Sequence, residues 1–261
     1  MREKIKKGGS ITGKKRHVGR IVAWLLCVAL AAGLCAAGWV GWQGYDMYRQ
    51  ALAQTSLDTT VGRIRAQEGY TRLYELPKMY TDAVIAVEDH RFYRHGGFDA
   101  LATVRALYND LRTLSFVEGG STITQQLGKN LYFTQEKKLT RKVAEVFMAF
   151  AFEKAYTKDE LLELYVNSIY FGGGYTGIGA ACRGYLGKEP KDMTDAECVL
   201  MAGIPNAPSA YAPTESTRLA RERQLQVLAR MVDCGYLTQD EADAIEAEEV
   251  AALNGEEPPF V

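Results

Sequence analysis

Apolar residues follow two different patterns along the chain. From Ile21 to Tyr45 no residue is charged: IVAWLLCVALAAGLCAAGWVGWQGY. About 20 apolar residues cross a bilayer as a helix, so 21–45 is read as a transmembrane helix. Beyond it, apolar positions recur at three and four, as in Val143, Val146, Phe147 and Phe150, the period of a helix with one buried face. Thr-x-x-Glu, in which threonine and glutamate close the first helical turn reciprocally, occurs at Thr157–Glu160, Thr194–Glu197 and Thr238–Glu241. Thr122–Gln125 is the amide form of the same box. Glycine and proline gather in YFGGGYTGIG and GIPNAPSAYAP, which read as loops. Strand signals are sparse and there is no internal repeat, so the fold is expected to be mainly α.

Charge orients the membrane segment. The first 20 residues carry eight Lys/Arg against Glu3 alone, which places the N-terminus in the cytoplasm and everything after Tyr45 outside. A cleaved signal peptide is the alternative, but its apolar core usually runs only about 7–15 residues. The organisation expected is a basic tail over 1–20, the span over 21–45, a stem over 46–69, one main domain over 70–250 and an acidic tail over 251–261. The whole chain has 31 basic and 32 acidic residues; without the first 45 residues, 23 and 31 remain. Nine of those acids fall between Asp233 and Val261, so the middle is near neutral. No net positive field points to nucleic acid, and any anion site must be built locally.

Five widely spaced cysteines and three histidines give no disulfide framework and no zinc spacing, so no metal ligands are assigned. The candidate chemistry lies elsewhere. AVIAVEDHRFYRHGGFD ends an apolar run in Glu88-Asp89, at the helix end that disfavours negative charge. A carboxylate at the edge of an apolar wall acquires the raised pKa that a general base needs, although paired acids at a helix end are usually just solvated. EGGSTITQQLGKN, Glu118 to Asn130, orders hydroxyls, two amides and a lysine on what reads as a helix starting near Thr122. Gln125 with Lys129 and Gln126 with Asn130 are spaced to face one another, and free N–H groups at that helix start suit an anionic oxygen. The glycine spacing is wrong for a P-loop, and GYTGIGAACRG fails the dinucleotide pattern. Arg141 and Glu145, four apart, read from spacing alone as a surface ion pair, in the less favourable order. Glu163 and Asn167, beside Leu161, Leu162, Leu164 and Val166, read as buried hydrogen-bonding residues.

In combination these stretches resemble the peptidoglycan glycosyltransferases (glycosyltransferase family 51) in their monofunctional, membrane-anchored form. Glu-Asp-x-x-Phe-x-x-His-x-Gly is matched by Glu88, Asp89, Phe92, His95 and Gly97. The Gly-Gly-Ser-Thr-Ile-Thr-Gln-Gln-Leu-x-Lys-Asn motif is matched without departure from Gly119 through Ser121, Thr122, Gln125, Gln126 and Lys129 to Asn130. Arg-Lys-x-x-Glu is Arg141, Lys142 and Glu145. Lys-x-x-Ile-Leu-Glu-x-Tyr-Leu-Asn appears as Lys158, Leu161, Leu162, Glu163, Tyr165, Val166 and Asn167, with two conservative departures. A later glycine-rich region departs at Cys182 and Leu186. The resemblance covers roughly Leu76 to Leu237.

The resemblance implies a lysozyme-like, bilobal, mainly α domain that polymerises lipid II, a disaccharide-pentapeptide on undecaprenyl pyrophosphate. Glu88 would be the general base and Glu145 would assist departure or orient the cations. Arg105, Lys129, Arg141 and Lys142 would hold pyrophosphates. Asp89, Phe92, His95, Glu163, Tyr165 and Asn167 complete the substrate-binding set, with the Ser121–Gln126 segment lining the donor site. No cofactor is required, though some relatives use Mg2+ or Mn2+ at the leaving group. The expected partners are lipid II, the nascent glycan strand, membrane lipid and other cell-wall proteins. Leu107, Leu111, Leu114 and Phe116 are expected to dip into the outer leaflet, with core packing as the alternative. No Ser-x-x-Lys or Lys-Thr-Gly occurs, so no transpeptidase activity is expected. Two other readings remain: a hydrolase of the same polymer, and a non-catalytic scaffold in wall assembly.

Overall fold

The computed structural model describes residues 11–113, 120–134 and 138–255. Among them the chain forms α1 (Ile11–Gln54), α2 (Leu57–Arg65), α3 (Lys78–Glu88), α4 (Ala100–Thr113), α5 (Ile123–Tyr132) and α6 (Leu139–Ala155). There follow α7 (Lys158–Val166), α8 (Ile178–Leu186), α9 (Asp195–Gly203), α10 (Pro208–Tyr211), α11 (Thr217–Asp233) and α12 (Gln239–Gly255). Extended pairing among the described residues is limited to one bridge, Tyr170 with Thr176, which closes the glycine-rich loop. The architecture is mainly α, as the apolar periodicity predicts.

All four capping boxes form where the sequence places them. Thr122, Thr157 and Thr194 each cap a helix and receive the side chain three residues on at their own N–H. Thr238 does the same with Glu241 ahead of α12. Such a cap is worth about 1 kcal/mol, enough to decide where a short helix begins.

α1 is a single helix through the predicted span and beyond it to Gln54, and Ala23–Gln54 is long and apolar enough to cross a membrane. Its side chains from Ala23 to Trp39 are exposed, and burial begins where α6 comes alongside at Gly44. Tyr45 and Tyr48 then flank Phe147, with ring centroids 5.2 and 5.9 Å away.

Two packed groups make up the rest. α6 packs on α1 and α5, and α5 on α7; α9 is packed by α3, α11 and α12. A shared core joins them, in which Tyr80, Phe92, Ile123, Leu127, Met148 and Phe152 are fully buried. Large apolar side chains contribute about 1.5–3 kcal/mol each when fully buried, so this seam is stiff. Glu88, at the end of α3, and Gln126, on α5, meet across the seam.

Candidate active site

Helix α3 ends at Glu88, with Asp89 as its C-cap, so two carboxylates stand at the negative end of a helix dipole. The mismatch is answered from another element. Arg230 of α11 donates its Nε–H to the Ala86 carbonyl at 3.2 Å, and its guanidinium lies 3.5 Å from His90 Nδ1. No local pattern announces this partner: Arg230 is 144 positions from Ala86, and a basic residue near a helix end ordinarily reads as solvated.

Glu88 is half-buried, and Gln126 donates to its Oε2 at 2.7 Å; Tyr165 O–H in turn donates to Gln126 Oε1 at 3.3 Å. Burial pushes the Glu88 carboxyl above its ordinary value near 4.5, while the Gln126 bond and the charges of Arg223 and Lys129 hold it back. A carboxylate in that condition is a better proton acceptor than a free one.

Asp89 does different work. It is buried, accepts from His95 Nε2 at 2.9 Å, and accepts the N–H of Ile123 at 3.2 Å. His95 Nδ1 meets the Gly96 carbonyl at 2.9 Å. Each partner presents an oxygen, so this geometry favours hydrogen on both ring nitrogens. Burial alone would lower the His95 pKa, but Asp89 and the Gly96 carbonyl outweigh it and raise it. Ile123 is the first residue of α5, so Asp89 takes the place of an anion at that helix start. The expectation of free N–H groups there is therefore corrected: Asp89 satisfies Ile123, and Thr122 Oγ1 satisfies Gln125. The facing pairs Gln125–Lys129 and Gln126–Asn130 are likewise not how these amides are used. Gln125 turns back to its own cap and Gln126 goes to Glu88.

Helix α6 supplies a compact charge cluster rather than a surface ion pair. Glu145 is almost wholly buried (2% side-chain exposure), with Arg141 Nε 3.1 Å from Oε1 and Lys142 Nζ 3.0 Å from Oε2. The Arg141 contact lacks hydrogen-bond alignment, so it is an ion pair held by proximity. Arg141 also donates to the Thr134 carbonyl at 3.1 Å, and Lys142 donates to Ser121 Oγ. Lys129 is part of the same field. Burial lowers its pKa, Glu145 raises it, and Lys142 and Arg141 lower it further.

Two cavities, each of about 370 Å³, flank the Glu88–Gln126 pair. One is lined by Glu88, Asp89, His90, Arg105, Ser121 and Arg230, the other by Gln126, Lys129, Asn130, Tyr165, Ser168 and Tyr170. The cations expected to act together are thus divided. Arg105 stands with Glu88 in the first cavity and Lys129 lines the second, near the α6 cluster.

Several predicted residues sit elsewhere. Phe92 is core, with Lys158 Nζ 4.2 Å from its ring centroid. Glu163 receives Tyr70 O–H, Arg72 and the N–H of Leu73, while Asn167 grips both backbone groups of Thr71. These two fasten the 70–73 segment to α7, as their buried-hydrogen-bonder reading predicts. Leu114 and Phe116, with the side chains of Leu107 and Leu111, lie outside the described residues. The exposed apolar stripe that α4 does present is Leu101, Val104 and Tyr108.

Asp89, His95 and Asp99 bring three ligand-type atoms within 4.8 Å. Both carboxylates are already engaged: Asp99 by Arg91 and the Ala102 N–H, Asp89 by His95 and the Ile123 N–H. This cluster does not fit a divalent cation.

Residues 55–232 match the family described as Transglycosylase. The chain is 46% identical over 194 residues to penicillin-binding protein 1A of Vibrio cholerae, covering 72% of this chain and 24% of that protein. It is 48% identical over 168 residues to penicillin-binding protein 1F of Bacillus subtilis, covering 64% and 24%. A Cupriavidus necator protein named "Putative transglycosylase" is 43% identical over 188 residues, which cover 72% of this chain and 80% of that one. The chain belongs to the transglycosylase family. It spans about a quarter of the length of the penicillin-binding proteins it matches.

Proposed function

We propose that the protein is a peptidoglycan glycan-chain polymerase acting on lipid II. The observation that carries the reading is the Glu88 carboxylate of one cation-bearing cavity, raised in pKa and held by Gln126, which lines a second. The GlcNAc 4-hydroxyl oxygen of lipid II attacks the MurNAc anomeric carbon of the growing chain. The new C–O bond forms as the bond to pyrophosphate breaks, with inversion; Glu88 takes the hydroxyl proton and pyrophosphate keeps the electron pair. Pyrophosphate leaves readily if its charge is met, so the opposite side needs cations rather than a strong acid. Lys129, Arg141 and Lys142 supply them on one side of Glu88 and Arg105 on the other. Glu145 holds the α6 cations in place. Asp89 and His95 set the start of α5, which carries Gln126 to Glu88. No step is assigned to a metal.

The same reading has α1 crossing the cytoplasmic membrane with its N-terminus inside and the domain outside, where lipid-linked substrate lies. The α4 stripe Leu101, Val104 and Tyr108 faces the lipid. No transpeptidase step is assigned, because the sequence lacks Ser-x-x-Lys and Lys-Thr-Gly. Labelled lipid II incubated with the purified protein tests the reading: a ladder of long glycans supports it. Absence of polymer from folded protein favours a scaffold, and shortening of preformed glycan favours a hydrolase. Covalent labelling by a penicillin probe would contradict the absence of a transpeptidase step.

A further inference from the structure

Gly44 is the one buried residue in the 23–45 stretch of α1, and α6 buries it. A Cβ there would stand 2.6 Å from both Cβ and Cγ1 of Val143 and 2.9 Å from the Thr140 carbonyl oxygen. Cβ atoms essentially never approach so closely, so glycine is what lets these two helices touch. Gly33, Gly38 and Gly41 differ: a Cβ on any of them meets nothing within 4 Å. Past Gly44 the contact continues through Tyr45 and Tyr48 on Phe147.

The contact lies at an informative height. Trp39 and Trp42, exposed with ring centroids 5.4 Å apart, are the kind of aromatic pair that settles at the membrane–water boundary. Gly44 is two residues further, about 3 Å along the helix axis. Its partners Thr140 and Val143 bracket Arg141 and Lys142 in the first turns of α6. α1 is unbroken from Ile11 to Gln54 and packs on α6, so continuous helix rather than a coil segment joins the span to the α6 contact.

We propose that Gly44 is a positioning residue for the transfer reaction. By letting α1 and α6 touch, it fixes the height and facing of the Arg141–Lys142–Glu145 cluster at the bilayer surface. That is the level at which the diphosphate of a membrane-held lipid is presented. The proposal rests on the reading of the cleft as a lipid-diphosphate glycosyltransferase site. The cluster meets the diphosphate of a membrane-held lipid only if it stands at that level, so a contact far from Glu88 can control substrate capture.

The test uses the full chain reconstituted in phosphatidylethanolamine–phosphatidylglycerol vesicles containing labelled lipid II. Gly44→Ala adds only the offending methyl and favours the helix itself, and its melting temperature is read beside its kinetics. The expected result is an apparent KM raised about fivefold or more with kcat within about twofold of wild type, since substrate capture is what the mount controls. Val143→Ala, added to Gly44→Ala, removes part of the clash and should recover part of the KM. Gly41→Ala should behave as wild type. A Gly44→Ala KM equal to that of wild type, or a fall in kcat alone, overturns the proposal. Absence of polymer from wild type overturns the reading of the cleft, and the proposal with it.

Discussion

At the scale of single residues, Glu88 is costly by design. Its folded-state pKa lies above its ordinary value near 4.5, so its favourable contribution to stability is full below that value and lost as pH rises through the folded one. At neutral pH the wild type therefore carries the cost of an ionised, half-buried carboxylate. Glu88→Gln should melt at a higher temperature than wild type at pH 7, with the gap closing near pH 4, by calorimetry at both values. The Gln126 amide stabilises the ionised form. Gln126→Ala should move the acid limb of kcat/KM to higher pH, read from a pH–rate profile. Glu88 was legible in the sequence because an acid pair at the end of an apolar helix is a local anomaly. Arg230 was not, because its meaning comes only from where α11 lands on the Ala86 carbonyl.

At the scale of elements, the approach of α6 to the loop carrying Gly97 and to α5 is set by two glycines with different neighbours. A Cβ at Gly97 would stand 2.8 Å from the Ala149 backbone carbon, which cannot move without α6. At Gly128 it would meet Met148 Cγ at 3.0 Å, the flexible part of a side chain that can turn aside. Gly97→Ala should cost about 1–3 kcal/mol in denaturant unfolding and Gly128→Ala clearly less. Equal losses would contradict this account of the packing. Helix starts were readable because each box is written in four consecutive residues. What the boxes do not carry is which anion serves the start of α5. Asp89 is 34 positions away and comes close only through the fold. The same holds for Glu163 and Asn167, whose partners in the 70–73 segment lie 90 or more positions distant.

At the scale of the whole molecule, a near-neutral domain gathers its cations around one carboxylate and stands on an apolar helix long enough to span a bilayer. The long apolar helix was legible from the absence of charge. The division of the cations between two cavities was not, because nothing local marks Arg105 as standing apart from Lys129. The exposed stripe Leu101, Val104 and Tyr108 offers a second membrane contact beside α1. Changing all three to serine should weaken vesicle binding of the chain lacking α1 by roughly tenfold, measured by co-sedimentation. Unchanged binding would leave α1 as the sole contact. The central claim, that Glu88 removes the proton of the attacking hydroxyl, is tested most directly on a gel of lipid II products from wild type beside Glu88→Gln. A ladder of long glycans from wild type, and none from a variant that melts no lower, is the result predicted. Polymer from Glu88→Gln at a rate near that of wild type would contradict it.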